Sequence, residues 1–250
     1  MDKLQWCNDI HVVDSASTDG TIDIAKTLGA KVYVNHFKSF AHQRNWSLDN
    51  CEIKHEWVLF LDADEHATKE FVDSLYEHIA KASHATAGFY CCGKTMLGKR
   101  WLKRSDNFPK WQYRLLRHGR SQFVDVGHGQ KEGNVDGQIG YIPEPYLHYP
   151  FSHGFDAWHK KHLSYAVRDA CAIVDSPITF SSLITLHGSK RNTAIKNIVR
   201  RLPGWPSFRF FYTYILLGGF LEGMEGSIYC RKILWYEKQV KREMKLQRRN

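Results

Sequence analysis

The stretch "WVLFLDADE" (57–65) constrains this 250-residue chain more than any other. Its apolar run shows no alternation, and polar residues bound it on both sides. Such a run suits a strand covered on both faces, the usual setting of a parallel sheet. It then runs into Asp62, Asp64 and Glu65. Carboxylates this close repel one another, and each is costly to take out of water. Either the strand ends in solvent, or something positive meets it there.

The rest of the first third fits a strand–helix alternation. "IHVVD" (10–14) and "KVYVN" (31–35) read as strands. Between them, "STDGT" (17–21) is a turn with helix-capping residues, and "TIDIAKTLGA" reads as a helix stopping at Gly29, where a left-handed cap favours glycine. "QRNWSLDN" (43–50) suits another helix, and in "TKEFVDSLYEHIAKA" (68–82) Phe71, Leu75 and Ile79 recur at helical spacing. "AGFYCC" (87–92) reads as a further strand. The alternation predicts an α/β layered domain with a mainly parallel sheet.

The pattern changes after residue 96. Residues 96–150 are rich in Gly, Trp and Arg and read as loops and short antiparallel strands. Such loops commonly carry function. From residue 151 the chain reads as helical, with an apolar stripe through Phe155, Trp158, Ala166, Ala170 and Val174. The expected division is therefore an α/β domain over 1–150 and a basic helical region over 151–250. Apolar residues make up 43% of the chain, enough for a core, and the net charge of +9 favours anionic partners. The six cysteines show no C-x-x-C spacing and read as reduced thiols of a cytosolic protein. "MDKLQWCNDIHVV" has no signal-peptide core, and no stretch reaches the length of a spanning helix.

In an open α/β sheet, ligands bind beyond the carboxyl ends of the strands. Asp14 ends one predicted strand, and Asp62 and Asp64 end another. If those strands are parallel neighbours, the acids face one cleft. Two positions apart, Asp62 and Asp64 point the same way for as long as the strand continues, and they offer oxygen ligands to Mg²⁺ or Mn²⁺. A divalent ion would relieve the repulsion and bridge a phosphorylated ligand to the protein. A D-x-D also occurs by chance in solvated loops.

"HVVDSASTDGTIDIAKTLGAKVYV", "FKSFAHQRNWSL" and "WVLFLDADE", in that order, resemble the nucleotide-sugar half of family 2 glycosyltransferases. More narrowly, they resemble the bacterial branch of lipopolysaccharide-core and exopolysaccharide glucosyltransferases. The likeness is clear over residues 10–100 and weaker over 105–170. It implies a GT-A fold, a Rossmann-type layered sheet, and a UDP- or GDP-sugar donor used with Mg²⁺ or Mn²⁺. It also implies that Asp14 and Arg44 lie on the nucleotide side, with Asp62 near the ribose or a metal-bound water and Asp64 a direct metal ligand. Arg44 also reads as a plain surface-helix arginine. The family's first strand would precede residue 1. A chain lacking it is expected to have exposed strand edges, poor solubility and doubtful activity.

Inverting sugar transfer needs a base for the acceptor hydroxyl. In "VGHGQKEG" (126–133), Glu132 is the candidate, in a glycine-rich turn, with Asp125 and Asp136 as competitors. The resemblance also implies a histidine on the metal or diphosphate after the acceptor segment. His148 in "EPYLHYPFSHGF" (144–155) fits best, ahead of His128 and with His153 nearby. Arg114 and Arg117 suit a bidentate phosphate clamp or a solvated strand face. Trp101 and Trp111 suit sugar stacking or a core.

No acidic residue occurs between Asp175 and Glu222, while aromatic and basic residues crowd that span. No nucleic-acid motif accompanies them, and the run from Phe210 to Leu221 is too apolar for a phosphate groove. An interfacial membrane contact on anionic lipid fits better, as does an ordinary helix pair with a solvated basic face. The expected function is metal-dependent transfer of a hexose to a lipid-linked, lipopolysaccharide or exopolysaccharide acceptor. The expected location is the cytoplasm, peripheral to the inner face of the membrane. A binding-only homologue and a sugar-phosphate nucleotidyltransferase stand as alternatives, although the latter's Gly-rich phosphate loop is not visible.

Overall fold

The computed structural model describes residues 4–176 and 188–248, with the backbone alone for 188–193. The chain divides into two compact units, one formed by residues 1–94 and 109–149, the other by 95–108 and 150–250.

Unit 1 opens with β1 (His11–Asp14), α1 (Thr21–Thr27) and β2 (Lys31–Val34). β1 and β2 pair in parallel as a two-stranded sheet. The helix between them ends as its sequence requires. Gly29 takes φ +83°, and the N–H groups of Gly29 and Ala30 close onto the carbonyls of Lys26 and Ala25. α2 (Phe40–Asn50) starts at Ser39, whose hydroxyl accepts the His42 N–H at 3.1 Å.

The apolar run forms only a short strand, β3 (Trp57–Leu59), and its residues are half-buried. It pairs antiparallel with β7 (Trp111–Arg117). The larger sheet runs β3–β7–β5–β11–β4, where β4 is Glu65–His66, β5 is Thr86–Leu97 and β11 is Tyr146–His148. β10 (Gln138–Tyr141) joins β5 in parallel, and β6 (Arg100–Trp101) joins it antiparallel. The sheet is therefore mixed, with antiparallel pairs dominating around β3, in contrast to the mainly parallel expectation. An apolar run reports that a strand is covered, and says nothing of the direction of its neighbour. β8 (Ser121–Val126) and β9 (Gly129–Val135) form a separate antiparallel hairpin.

α3 (Lys69–Lys81) matches its predicted periodicity. Thr68 caps it by accepting the Phe71 N–H at 3.2 Å. Phe71, Val72 and Leu75 enter a core with Phe89, Leu115, Ile142 and Tyr146, against which Ile79 packs. Each fully buried side chain of this kind contributes roughly 1.5–3 kcal/mol.

Unit 2 contains α4 (Gly154–Asp175), α5 (Gly188–Arg201), α6 (Trp205–Phe211) and α7 (Gly223–Gln247). A π turn over Tyr212–Leu216 and a 3-10 turn over Gly219–Glu222 join α6 to α7. α4 buries Trp158, Tyr165, Ala166, Ala170 and Ile173, and α7 buries Tyr229, Tyr236, Val240 and Met244. The predicted stripe is met at Trp158, Ala166 and Ala170, whereas Phe155 is exposed. α7 starts close under the 3-10 turn: a Cβ on Gly226 would lie 2.2 Å from the Gly219 carbonyl oxygen. Arg200 on α5 pairs with Asp169 at 3.0 Å and with Glu237 at 3.2 Å. The buried Glu222 carboxylate accepts the Arg104 N–H at 2.5 Å and the Ser105 N–H at 3.0 Å. All six cysteines are free thiols. Among the described residues, no helix is long and apolar enough to cross a membrane.

Candidate active site

The answer to the carboxylate problem lies just beyond β3. Phe60 still follows the sheet, its N–H donating to the Arg114 carbonyl at 2.9 Å. The chain then turns. The Glu65 N–H donates to the Asp62 carbonyl, and the Asp62 N–H donates to the Glu65 carboxylate, each at 2.9 Å. This turn breaks the two-residue period on which a shared direction for Asp62 and Asp64 depended. The two side chains instead have different partners.

Asp62 meets arginines. Its Oδ1 accepts from Arg44 Nη2 and Arg114 Nη1, both at 3.2 Å, and its Oδ2 accepts from Arg114 Nη2 at 2.9 Å. The same Arg114 nitrogen reaches Glu65 Oε1 at 2.5 Å. Arg114 and Glu65 are closed off, with side-chain exposures of 2% and 1%, while Asp62 remains 44% exposed. Burial, followed by the neighbouring Asp62 charge, pushes the Glu65 carboxyl above the ordinary carboxylate range. So it is protein cations, at Asp62 and Glu65, that offset the repulsion there.

Arg44 is likewise not a surface residue. It is buried on α2, and its guanidinium lies 5.1 Å from the Phe60 ring and 5.3 Å from the Phe123 ring. The Gln130 amide, oriented to satisfy both its ends, accepts from Arg44 at 2.7 Å and donates to the Phe40 carbonyl at 3.3 Å. The phosphate-clamp expectation for Arg114 and Arg117 fails for the same reason. Arg117 is committed to Glu56 and to the carbonyls of Thr86 and Ser83, at 3.0 and 3.1 Å. The signal for Arg114 was present in "WQYRLLR", because a guanidinium flanked by apolar residues in mid-strand needs a buried counter-charge.

Asp64 faces His148. The ladder between β4 and β11 sets Glu65 opposite His148, and the Tyr149 N–H extends it to the Asp64 carbonyl at 2.8 Å. This register brings His148 Nε2 to 3.7 Å from Asp64 Oδ2, with side-chain exposures of 30% and 20%. In an octahedral shell with ligands about 2.1 Å from the ion, neighbouring ligands stand about 3.0 Å apart, so a shared Mg²⁺ or Mn²⁺ would need this pair to draw closer. Among the described residues, no group of three or more His, Cys, Asp or Glu gathers into a full protein cage.

The remaining candidates are held elsewhere. Asp14, buried at the end of β1, accepts the Ser17 N–H at 2.7 Å, and hydrogen bonding to the Ser17 side chain, then to its N–H, outweighs burial and lowers the Asp14 pKa. It fixes a loop in which Ala16 takes φ +67°. β1 and β3 lie in different sheets, so Asp14 and Asp62 do not end neighbouring strands. Glu132 sits on β9 opposite Phe123, within a strand rather than in a turn. Its carboxylate faces the Tyr90 hydroxyl, whose pKa rises through burial and then through Glu132. Of its competitors, Asp125 accepts the Ala41 N–H at 3.2 Å near the start of α2, and Asp136 is exposed.

The glycosyl transferase family 2 model matches residues 8–132, half of the chain. The chain belongs to glycosyltransferase family 2. Every residue of the Asp62 cluster falls inside that match. An uncharacterized glycosyltransferase of Rickettsia typhi is 43% identical over 77 residues, covering 31% of this chain and 25% of that protein. One from Rickettsia bellii is 41% identical over 68 residues, covering 27% and 22%. The lipopolysaccharide core biosynthesis glycosyltransferase LpsC of Rhizobium meliloti is 26% identical over 146 residues, covering 56% and 53%. The match thus spans about a quarter of the Rickettsia relatives and about half of LpsC. Membership of family 2 implies the GT-A fold, and the mixed sheet with C-terminal helices described above accords with it.

Proposed function

We propose that the protein transfers a hexose, with inversion, from a nucleotide-diphosphate sugar to a lipid-linked, lipopolysaccharide or exopolysaccharide acceptor. The observation that carries this reading is the Asp64–His148 pair, 3.7 Å apart beside an Asp62 that is pinned by arginine yet open. LpsC, by its name a lipopolysaccharide core enzyme, supports the acceptor class.

Asp64 and His148 would hold a divalent cation, which when bound neutralises charge on the departing nucleotide diphosphate. Asp62 presents its open carboxylate edge to the ribose side of the donor. Arg44 acts through Asp62, holding its Oδ1 in place. Asp14 shapes the loop on the nucleotide side. Glu132 takes the proton of the acceptor hydroxyl as that oxygen bonds to the anomeric carbon. The bond from that carbon to the diphosphate oxygen breaks, and its electron pair leaves with the nucleotide.

The test is calorimetric binding of UDP, GDP and their common sugars, with Mn²⁺ and with EDTA, alongside transfer assays. Asp64→Ala is expected to lose metal-dependent donor binding. Glu132→Gln is expected to keep binding and lose about 10²- to 10⁴-fold in transfer. Unchanged metal-dependent binding in the first variant, or unchanged transfer in the second, would remove that residue's role.

A further inference from the structure

The charge of the molecule is unevenly divided. Unit 1 carries 14 Lys and Arg against 18 Asp and Glu, a net −4, whereas unit 2 carries 21 against 8, a net +13. Several of these acids in unit 2 are already used internally. Asp169 and Glu237 face Arg200, Asp106 takes the Tyr229 hydroxyl, and Glu222 takes backbone N–H groups. The surplus therefore lies outward.

Part of it converges on one place. Lys238, Lys241, Arg242 and Lys245 recur at helical spacing along α7 and line a cavity of about 340 Å³, with Pro206 and Leu246 as its apolar wall. Glu237 turns away from it, held by Arg200 and by the Trp205 indole N–H at 3.1 Å. Burial, then Arg248 and Lys245, lowers the pKa of Lys241, and Glu237 offsets only part of this.

The apolar side of the feature starts at the same helix. α6 begins at Trp205 and Pro206, and Phe208, Phe211 and Ile215 then follow at i, i+3, i+7. All three stand exposed, at 54%, 49% and 44%, and Leu216 and Leu221 extend the patch at 60% each. Exposed aromatic and aliphatic residues at helical spacing, bordered by cations, have a specific physical complement. Acyl chains take the rings, and phosphate headgroups take the Lys and Arg. A nucleic-acid duplex would meet the cations with phosphate but leave Ile215 and Leu216 in water.

We propose that unit 2 docks on an anionic lipid surface, with Phe208, Phe211, Ile215 and Leu216 entering the interface and the Lys238–Lys245 cavity receiving a phosphate headgroup. This adds a partner to the transferase reading and does not depend on it.

The experiment is flotation of the full chain with phosphatidylcholine vesicles, with and without phosphatidylglycerol, in the absence of donor and metal. Binding is expected only with phosphatidylglycerol, and is expected to weaken as salt rises. The triple variant Lys238→Gln/Arg242→Gln/Lys245→Gln is expected to bind on the order of 100-fold more weakly. Phe208→Ser/Phe211→Ser is expected to lose about tenfold or more. All of these positions are exposed, and circular dichroism checks that both variants fold. Equal binding to both vesicle types, or wild-type binding by both variants, would overturn the proposal. So would displacement by millimolar inorganic phosphate, which would make the cavity a free-phosphate site. Equally tight binding of a single-stranded oligonucleotide would do the same.

Discussion

Each unit contains an arginine held between two carboxylates, and the two arrangements differ in one respect. Around Arg200, both acids are shut in, with Asp169 at 7% and Glu237 at 11% side-chain exposure. Around Arg114, Glu65 is shut in at 1%, but Asp62 stands 44% open. A closed triad can only brace helices. An open one does the same bracing and leaves an oriented carboxylate edge exposed to solvent.

The largest effect tests what the two arginines share. Arg114→Met and Arg200→Met should each cost about 3–5 kcal/mol, because the first strands the buried Glu65 and the second strands Asp169 and Glu237. Urea denaturation measures this. The units should then part company. Replacing the closed triad by Asp169→Leu/Arg200→Met/Glu237→Met should recover part of that loss, less the bonds that the Trp205 N–H and the Tyr236 hydroxyl give these carboxylates, and leave donor binding intact. If that triple variant lost donor binding, the distinction between the triads would fail.

A smaller effect lies at the start of unit 1. Asp9 accepts the Lys54 N–H at 2.9 Å and sits 3.0 Å from His11 and 3.5 Å from Lys31. Burial raises its pKa, but these partners outweigh burial and bring it from 3.8 to about 2. A depressed carboxyl stabilises the fold above its unfolded pKa and loses that contribution as pH falls through the folded one. Stability should therefore drop by about 2 kcal/mol between pH 4 and 2. Asp9→Asn should flatten that limb of the stability curve. An unchanged acid limb would rule out this account.

The smallest stability effect sharpens the contrast most. Asp62→Asn leaves Arg114 its Glu65 partner and Arg44 its Gln130 partner. It should cost only about 1 kcal/mol in stability, while donor binding falls at least tenfold. A large loss of stability with donor binding intact would make Asp62 a brace like Asp169.

Much of the helical framework was legible in sequence, because capping and periodicity are local. Gly29 and the spacing of Phe71 and Leu75 act within a few residues of themselves. The sheet was harder. "WVLFL" announced a covered strand, but its partner is β7, more than fifty residues later, and runs the opposite way. The D-x-D was plain to see, while the turn from Asp62 to Glu65 was not, since "ADE" carries no glycine or proline to mark it. The sequence offers Arg114 either a phosphate or a solvated strand face. Its partner Asp62 is 52 positions away, and only folding shows that the two meet. The site residues were thus visible one at a time, and their pairings were not.

The short ladder between β4 and β11 has a consequence for fidelity. Only two pairs define it, Leu147 with His66 and His148 with Glu65. Successive strand residues face opposite sides, so a slip of a single position would set Leu147 or Tyr149 where the imidazole now stands. Such a molecule would keep its core and its helices and would pass most tests of folding. It would no longer bring an imidazole to Asp64. The Tyr149 ring against His66, 4.9 Å between centroids, and the Tyr149 N–H on the Asp64 carbonyl both act as proofreaders of that alignment.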